Sequence, residues 1–161
     1  MRNLWCARGL VVRHLLAKDP RGRPAMTIRR RAREFAVQFL YSFQVNPGEL
    51  EEKLADFWKT RNVDRKVKEF ADSLVRGTLS QKERIDEMIS NQVINWDISR
   101  IALVDSNILR LAVYELAFRD DIPPVVSINE AVDIAKKFGT PESGKFVNGI
   151  LDNLKLKLAK V

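Results

Sequence analysis

The chain has 161 residues, of which 45% are hydrophobic and 30% are charged, and its formal net charge is +7. This length can bury a core without covalent staples, so one domain or two small packed subdomains are expected. The single cysteine excludes an internal disulfide framework, and no apolar run reaches the roughly 18 residues of a membrane span, so we predict a soluble, cytoplasmic protein.

Residues 1–26 differ from the rest of the chain. Residues 1–28 carry six basic side chains against one acidic one. Arg8 and Arg13 interrupt the apolar stretches, which excludes a secretory signal. We interpret residues 1–26 as a disordered or non-native leader, with Met26 as the natural start. The only histidine, His14, lies in this segment, so the body contains no candidate for histidine-based catalysis or metal binding.

The first predicted helix follows Thr27, a suitable N-cap, and ends at the turn signal Asn46-Pro47-Gly48. Its first turn is crowded with arginines, which oppose the helix macrodipole. Because guanidinium groups match phosphate oxygens, we predict that these arginines project into solvent and bind a polyanion. A merely solubilising helix end is the alternative. The arginines are Arg29, Arg30, Arg31 and Arg33.

The positive potential is concentrated at this helix start, because the residues after Arg33 sum to −2. The helix has one apolar arc, typical of a packed helix, and Gln38 and Tyr41 lie on its polar side. We include both side chains among the candidate nucleic-acid contacts. A structural role for Tyr41 is the alternative.

The remaining elements are also helical. Residues 50–58 form a second helix, and the apolar positions of residues 67–93 predict one long helix bent near Gly77. The alternative is a new helix capped by Ser80 and Glu83, but no proline separates the two halves. Trp96-Asp97 ends that element, and Asp105 or Ser106 caps a central, buried helix. A capping box at Ser127–Glu130 opens the next helix, and Thr140-Pro141 opens the last one. The predicted fold class is all-α, with about seven helices.

The chain offers little enzymatic chemistry. It has no phosphate-binding glycine loop, no metal-spaced cluster and no nucleophile with a histidine base, so we predict no enzyme, no cofactor and no metal site. Residues 145–149 leave two interpretations open. Either Phe146 belongs to the core and the neighbouring glycines allow close packing, or Lys145 and Phe146 contact single-stranded nucleic acid through charge and stacking.

Five blocks resemble, in order, those of the NusB family of bacterial transcription antitermination factors, and the likeness covers about residues 27–159. The blocks are Arg29–Glu34 with Ala36 and Leu40-Tyr41, Leu109–Leu116, Val126–Ala131, Ala135–Gly139 and Lys145–Gly149. The resemblance implies two packed helical subdomains, about residues 27–80 and 81–159.

The resemblance also implies a function. Such proteins bind the boxA element of ribosomal RNA leader transcripts together with the ribosomal protein NusE, as part of the RNA polymerase antitermination complex. The arginine-rich start and the Lys145-Phe146 block match the RNA-contacting regions of the family. Asp105 and its neighbour Ser106 match the side that meets NusE. A helical adaptor, whose basic helix meets an acidic protein partner, is the alternative.

Overall fold

The all-α prediction is confirmed. The computed structural model describes residues 27–93 and 98–159, and these residues form seven α-helices, one 3-10 turn (Ile98–Arg100) and no strand. The helices are α1 (Ile28–Val45), α2 (Leu50–Lys59), α3 (Arg65–Ser80), α4 (Lys82–Ser90), α5 (Leu103–Phe118), α6 (Pro124–Phe138) and α7 (Ser143–Leu158). The predicted leader and Trp96-Asp97 lie outside the described residues.

Helix α1 begins and ends as predicted. The Thr27 hydroxyl accepts a hydrogen bond from the Arg30 backbone N–H at 3.3 Å, which caps the first turn. The helix ends at Val45, directly before the Asn46-Pro47-Gly48 turn. Its apolar arc packs on α3 and α5, so the direction of every side chain in the first turn is set by this packing. The buried apolar residues of α1 are Ala32, Phe35, Ala36, Val37, Phe39 and Leu40.

Helix α5 is central, as its nearly all-round apolar sequence predicts. It packs against α1, α3, α4, α6 and α7. Ten of its 16 residues are buried, among them Arg110 and Glu115. A buried charge needs a partner, and α5 therefore collects ion pairs from its neighbours. Arg110 pairs with Asp86 of α4 at 2.6 Å.

The predicted long helix over residues 67–93 is wrong, because the chain forms two helices that meet at Gln81. The Gln81 N–H bonds to the Gly77 carbonyl at 3.2 Å and closes α3, while its own carbonyl accepts from the Ile85 N–H at 2.9 Å and opens α4. The break redirects the chain so that Ile85 and Ile89 are both fully buried. The apolar residues keep helical spacing across this break, so their pattern alone does not reveal it.

Gly77 is required by the close approach of α5. A methyl group at this position would overlap the ring of Tyr114, which is half-buried against the main core. We expect Gly77→Ala to lower the free energy of unfolding by about 1–3 kcal/mol, because the ring must move out of its packing position. Urea unfolding followed by circular dichroism measures this change.

Gly149 supplies a matched control for that prediction. It is exposed on α7, and nothing lies within 4 Å of an added Cβ. Gly149→Ala should raise the free energy of unfolding by about 0.5–1 kcal/mol, because alanine loses less backbone entropy in a helix. A Gly77→Ala protein as stable as the wild type would contradict the packing of Tyr114 on Gly77.

Three predicted helix starts differ from the observed ones. Helix α5 begins at Leu103, before Asp105 and Ser106, and α7 begins at Ser143, after Thr140-Pro141. Helix α6 begins at Pro124, so the predicted capping box at Ser127–Glu130 is wrong. The Ser127 hydroxyl donates instead to the buried Glu115 carboxylate of α5. Asp105 and Ser127 each use the polar group that a local cap would need in a contact with another helix. The Thr140 hydroxyl contacts the Ser143 hydroxyl of its own segment at 3.2 Å.

The core has one main cluster and one smaller cluster. The main cluster contains residues from both halves of the chain, such as Val37, Leu74, Ile108 and Leu151. The smaller cluster joins α1, α2 and α3, and it contains Ala32, Phe35, Trp58, Val67 and Ala71. The main cluster contains side chains from both sides of residue 80, so the division into two subdomains stays a prediction. The predicted boundary coincides with the break between α3 and α4.

Candidate functional site

The four arginines of the first turn leave α1 in different directions. Successive residues of an α-helix turn by about 100°, so three adjacent arginines cannot share one face. Arg29 contacts a ring on α3, Arg30 reaches α6, and Arg31 lies over Phe35, which packs against Trp58 of α2. The predicted basic end is therefore divided over three sides of the helix.

Arg33 is buried, which corrects the prediction that all four arginines project into solvent. Only 3% of it is exposed, and its Nε and Nη2 donate to the two carboxylate oxygens of Glu115 at 2.7 and 3.3 Å. Glu115 is 1% exposed and also accepts from the Ser127 hydroxyl at 2.7 Å. The partner lies 82 residues along the chain, beyond the reach of local patterns. Arg33 thus joins α1 to α5 and has no surface from which to meet RNA.

Arg30 is held against α6 by two carboxylates. Its Nε and Nη2 donate to Glu130 at 2.9 and 2.8 Å, and Nη2 also donates to Asp133 at 2.5 Å. The hydrogen bonds that Arg30 donates to Glu130 raise the pKa of Arg30 above its usual range, against the opposing effect of burial. With 36% of its side chain exposed, Arg30 still reaches solvent, although its charge is largely compensated.

Arg29 and Arg31 have no carboxylate partner within residues 27–93 and 98–159. The Arg29 guanidinium lies 5.2 Å from the centre of the Phe70 ring, and that of Arg31 lies 5.7 Å from the centre of the Phe35 ring. The Nε of Arg31 is buried without a hydrogen bond. Aromatic faces orient a guanidinium but do not neutralise it. These two arginines therefore carry the uncompensated positive charge of the helix start.

The polar side of α1 faces α6 through a second ion pair. The Lys137 ammonium donates to both oxygens of Glu34 at 3.0 and 2.9 Å. Burial raises the pKa of Glu34, and the hydrogen bond from Lys137 opposes this rise. Gln38 and Tyr41 lie on the same side of α1, one and two turns further along, and both are half-buried. Gln38 and Tyr41 thus continue, towards the end of α1, the helix face on which Glu34 meets Lys137.

Lys145 and Phe146 lie in the first turn of α7. Lys145 is exposed, whereas Phe146 packs against the main core with part of its ring exposed, so both interpretations of this residue are retained. Gly144 lets the alkyl chain of Lys136 approach, since an added Cβ would lie 2.9 Å from Lys136 Cγ. Lys136 and Lys137 are thus further basic groups at this site. The sequence pattern does not mark them as anion-binding residues, because lysines in a last helical turn commonly bond to the terminal carbonyl groups of their own helix.

Asp105 and Ser106 are both buried, and their role as partner contacts stays a prediction. The Asp105 Oδ2 accepts from the Ser143 hydroxyl at 3.1 Å, and burial raises the pKa of this carboxyl group. The Ser106 hydroxyl donates to the Leu103 carbonyl at 3.0 Å. Asp105 therefore fixes the start of α7 on α5. The exposed side chain in this neighbourhood is Leu103, which is 41% exposed.

Two other features are absent from the part of the chain that the structure describes. No helix there is long and apolar enough to cross a membrane. The same residues contain no group of three or more His, Cys, Asp or Glu side chains that could hold a metal ion. The surface that the arrangement offers is instead one for anions, at the start of α1 and at the junction of α6 with α7.

Comparison with known proteins gives one consistent family. The sequence profile of the NusB family matches residues 30–155. Transcription antitermination protein NusB of Methylacidiphilum infernorum (isolate V4) is 50% identical over 130 residues, which cover 80% of this chain and 91% of that protein.

Solved structures give the same picture. T. maritima NusB is 41% identical with a TM-score of 0.74, and the match covers 81% of this chain and 92% of that one. A chain in the crystal structure of antitermination factors NusB and NusE in complex with double-stranded RNA is 30% identical with a TM-score of 0.75. That match covers 82% of this chain and 98% of the other.

Proposed function

The chain belongs to the NusB family, and on that premise we propose that it is an RNA-binding factor of transcription antitermination. It binds the boxA RNA of ribosomal RNA leader transcripts together with the ribosomal protein NusE, in the antitermination complex of RNA polymerase. The proposal contains no catalytic step, and it places the protein in the cytoplasm, where transcripts are made.

One observation carries the RNA-binding part of the proposal. Arg29 and Arg31 are held on aromatic rings, and within the described ranges no carboxylate compensates them. Backbone phosphates would supply the missing negative charge, and the fork of a guanidinium group fits phosphate oxygens. A structural neighbour that is 30% identical was crystallised with NusE and RNA, which supports the same ligand for this chain.

The mechanism begins with electrostatic capture at the start of α1. Arg29 and Arg31 supply the free charge, and Arg30 contributes when phosphate competes with Glu130 and Asp133. The polar side of α1, with Gln38 and Tyr41, then offers a hydrogen-bonding group and a ring to single-stranded bases. Stacking on a ring is worth about 1–3 kcal/mol per base. The second contact region is the junction of α6 and α7, where Lys136, Lys137, Lys145 and Phe146 lie.

NusE would bind near the start of α5. Since Asp105 and Ser106 are buried, the partner would meet the exposed residues beside them, of which Leu103 is the largest apolar one. This region and the arginines of α1 lie on different elements. RNA and NusE therefore have separate contact regions on this chain, and simultaneous binding is expected.

A mobility-shift experiment tests the function. The protein should shift a boxA RNA but not a scrambled RNA of the same length and composition, and adding NusE should strengthen the shift, because two linked contacts raise the overall affinity. Equal shifts of both RNAs would contradict the boxA assignment. Capture of NusE without affinity for either RNA would favour the adaptor alternative.

A further inference from the structure

Three guanidinium groups surround the ring of Phe70. Their Cζ atoms lie 5.2 Å (Arg29), 5.6 Å (Arg33) and 5.6 Å (Arg119) from the ring centre. The arginines come from the first two turns of α1 and from the end of α5, and Phe70 comes from the middle of α3. Phe70 is partly buried between the two hydrophobic clusters and therefore holds a fixed position.

The charges around this ring do not balance. Glu115 compensates Arg33, and Asp121 accepts from the Nε and Nη2 of Arg119 at 2.7 and 2.8 Å. Arg119 lowers the pKa of Asp121 to about 2. Among the described residues Arg29 forms no ion pair, although it lies close enough to Asp121 to lower the pKa of that carboxyl group as well. Three guanidinium groups thus face two carboxylates, and the cluster keeps one net positive charge.

Other nearby groups change this balance little. Lys66, one helical turn before Phe70 on α3, is exposed and adds positive charge. Glu69 pairs with Arg65 at 2.6 Å, and Asp120 is exposed at the end of α5. The Ser73 hydroxyl accepts from the Nη1 of Arg119 at 3.5 Å. This Nη1 therefore faces a weak neutral partner, while the other two nitrogens hold Asp121.

We propose that Phe70 and Arg119, beside Arg29 of the boxA contact, form a third RNA contact, which binds a backbone phosphate outside boxA on the α3 side of α1. This inference rests on the proposed function. Gln38, Tyr41 and the lysines of α6 lie on the other side of α1, so RNA that continues past the first turn of α1 reaches the Phe70 cluster. The ring orients the guanidinium groups, and the phosphate takes the place of the missing carboxylate.

An RNA is the favoured occupant because this cluster continues an arginine-rich turn that is already assigned to RNA. A guanidinium held on a ring presents its nitrogens outward to phosphate oxygens. Asp121 competes with the phosphate for Arg119, and with half of its side chain exposed it can be replaced without opening the core. Removing this carboxylate should therefore strengthen RNA binding.

The test compares two RNAs: the boxA element alone and the same element with flanking nucleotides at both ends. Wild-type protein should bind the extended RNA more tightly. Arg119→Gln and Phe70→Leu should lose about threefold to tenfold in affinity for the extended RNA, and Arg119→Gln should flatten its dependence of log K on log salt by about 0.7. Arg119→Gln should leave the affinity for the short RNA unchanged, whereas Phe70→Leu, which also releases Arg29 from its ring, should weaken the binding of both RNAs. Asp121→Asn should bind the extended RNA more tightly than wild type.

Arg84→Gln is the matched control, because the Arg84 guanidinium of α4 also lies over a phenylalanine, 5.1 Å from the centre of the Phe118 ring, but does not belong to the Phe70 cluster. It should bind both RNAs like wild type. Thermal unfolding of every variant shows whether the fold is kept. If Arg119→Gln does not fold, Phe70→Leu still tests the contact, because leucine retains most of the apolar volume of phenylalanine.

Some outcomes overturn the inference and leave the proposed function intact. One is that folded Arg119→Gln and Phe70→Leu bind the extended RNA as tightly as wild-type protein does, while wild-type protein still binds boxA. Weaker binding by Asp121→Asn, or loss of NusE capture instead of RNA affinity, also overturns it. Wild-type protein that binds neither RNA contradicts the proposed function itself.

Discussion

Replacing Arg33 with methionine should lower the free energy of unfolding by about 3–5 kcal/mol. The substitution leaves the Glu115 carboxylate buried, with only the Ser127 hydroxyl as a partner. Removing one member of a buried ion pair is strongly destabilising because the other charge stays uncompensated. Typical domains have only 5–15 kcal/mol of stability, so this single change removes a large share. Urea unfolding at neutral pH measures it.

Two variants separate the buried pair from a general effect of losing an arginine. Arg65→Met removes an exposed arginine that pairs with Glu69, and it should change the stability by no more than about 0.5–1 kcal/mol. Arg33→Met combined with Glu115→Leu should recover most of the loss, since an apolar pair replaces both charges. If Arg33→Met were as mild as Arg65→Met, the assignment of Arg33 to the fold would be wrong.

The second large effect concerns RNA. Changing Arg29, Arg30 and Arg31 together to glutamine should weaken boxA binding by about a hundredfold or more, because hydrogen bonds to charged groups contribute about 1.5–3 kcal/mol each. The fold should persist, since all three side chains lie at the edge of the bundle and none is fully buried. Fluorescence anisotropy with labelled boxA RNA measures the affinity, and circular dichroism confirms the helix content.

The control for this variant removes the same charge elsewhere. Lys59 at the end of α2 and Lys155 and Lys157 in the last turn of α7 are exposed and belong to none of the proposed contacts. Changing these three lysines to glutamine should leave the affinity within about threefold of wild type, since exposed charges that do not touch the RNA are screened at ordinary salt. An equal loss in both triple variants would mean that net charge, rather than the start of α1, governs binding.

Much of the fold follows from local patterns. The Thr27 cap, the turn at Asn46–Gly48 and the all-round apolar coverage of α5 predict α1 and the central helix correctly. The break at Gln81 has only a weak signal, the possible cap by Ser80 and Glu83, because the apolar period continues across it and no proline marks it. The predicted capping box at Ser127 is wrong for a different reason. The Ser127 hydroxyl bonds to Glu115 of another helix, and a local sequence pattern cannot show that contact.

The site was predictable in type but not in detail. Arginine density marks the start of α1 as an anion-binding region, but it does not show which arginines already have partners. Arg33 finds Glu115 and Arg30 finds Glu130 only after α5 and α6 pack on α1. Phe70 and Arg119 gave no signal, since each is unremarkable in its own segment and their contact exists only in the folded chain.

The salt dependence of boxA binding tests the central claim most directly. Each arginine that neutralises a phosphate of single-stranded RNA contributes about −0.7 to the slope of log K against log salt. The Arg29, Arg30 and Arg31 triple variant should therefore show a slope about 1.4 to 2 less negative than wild type, where the lower value applies if paired Arg30 contributes nothing. The lysine control should run parallel to wild type. Parallel lines for the arginine variant and wild type would contradict the claim that RNA is held at the start of α1.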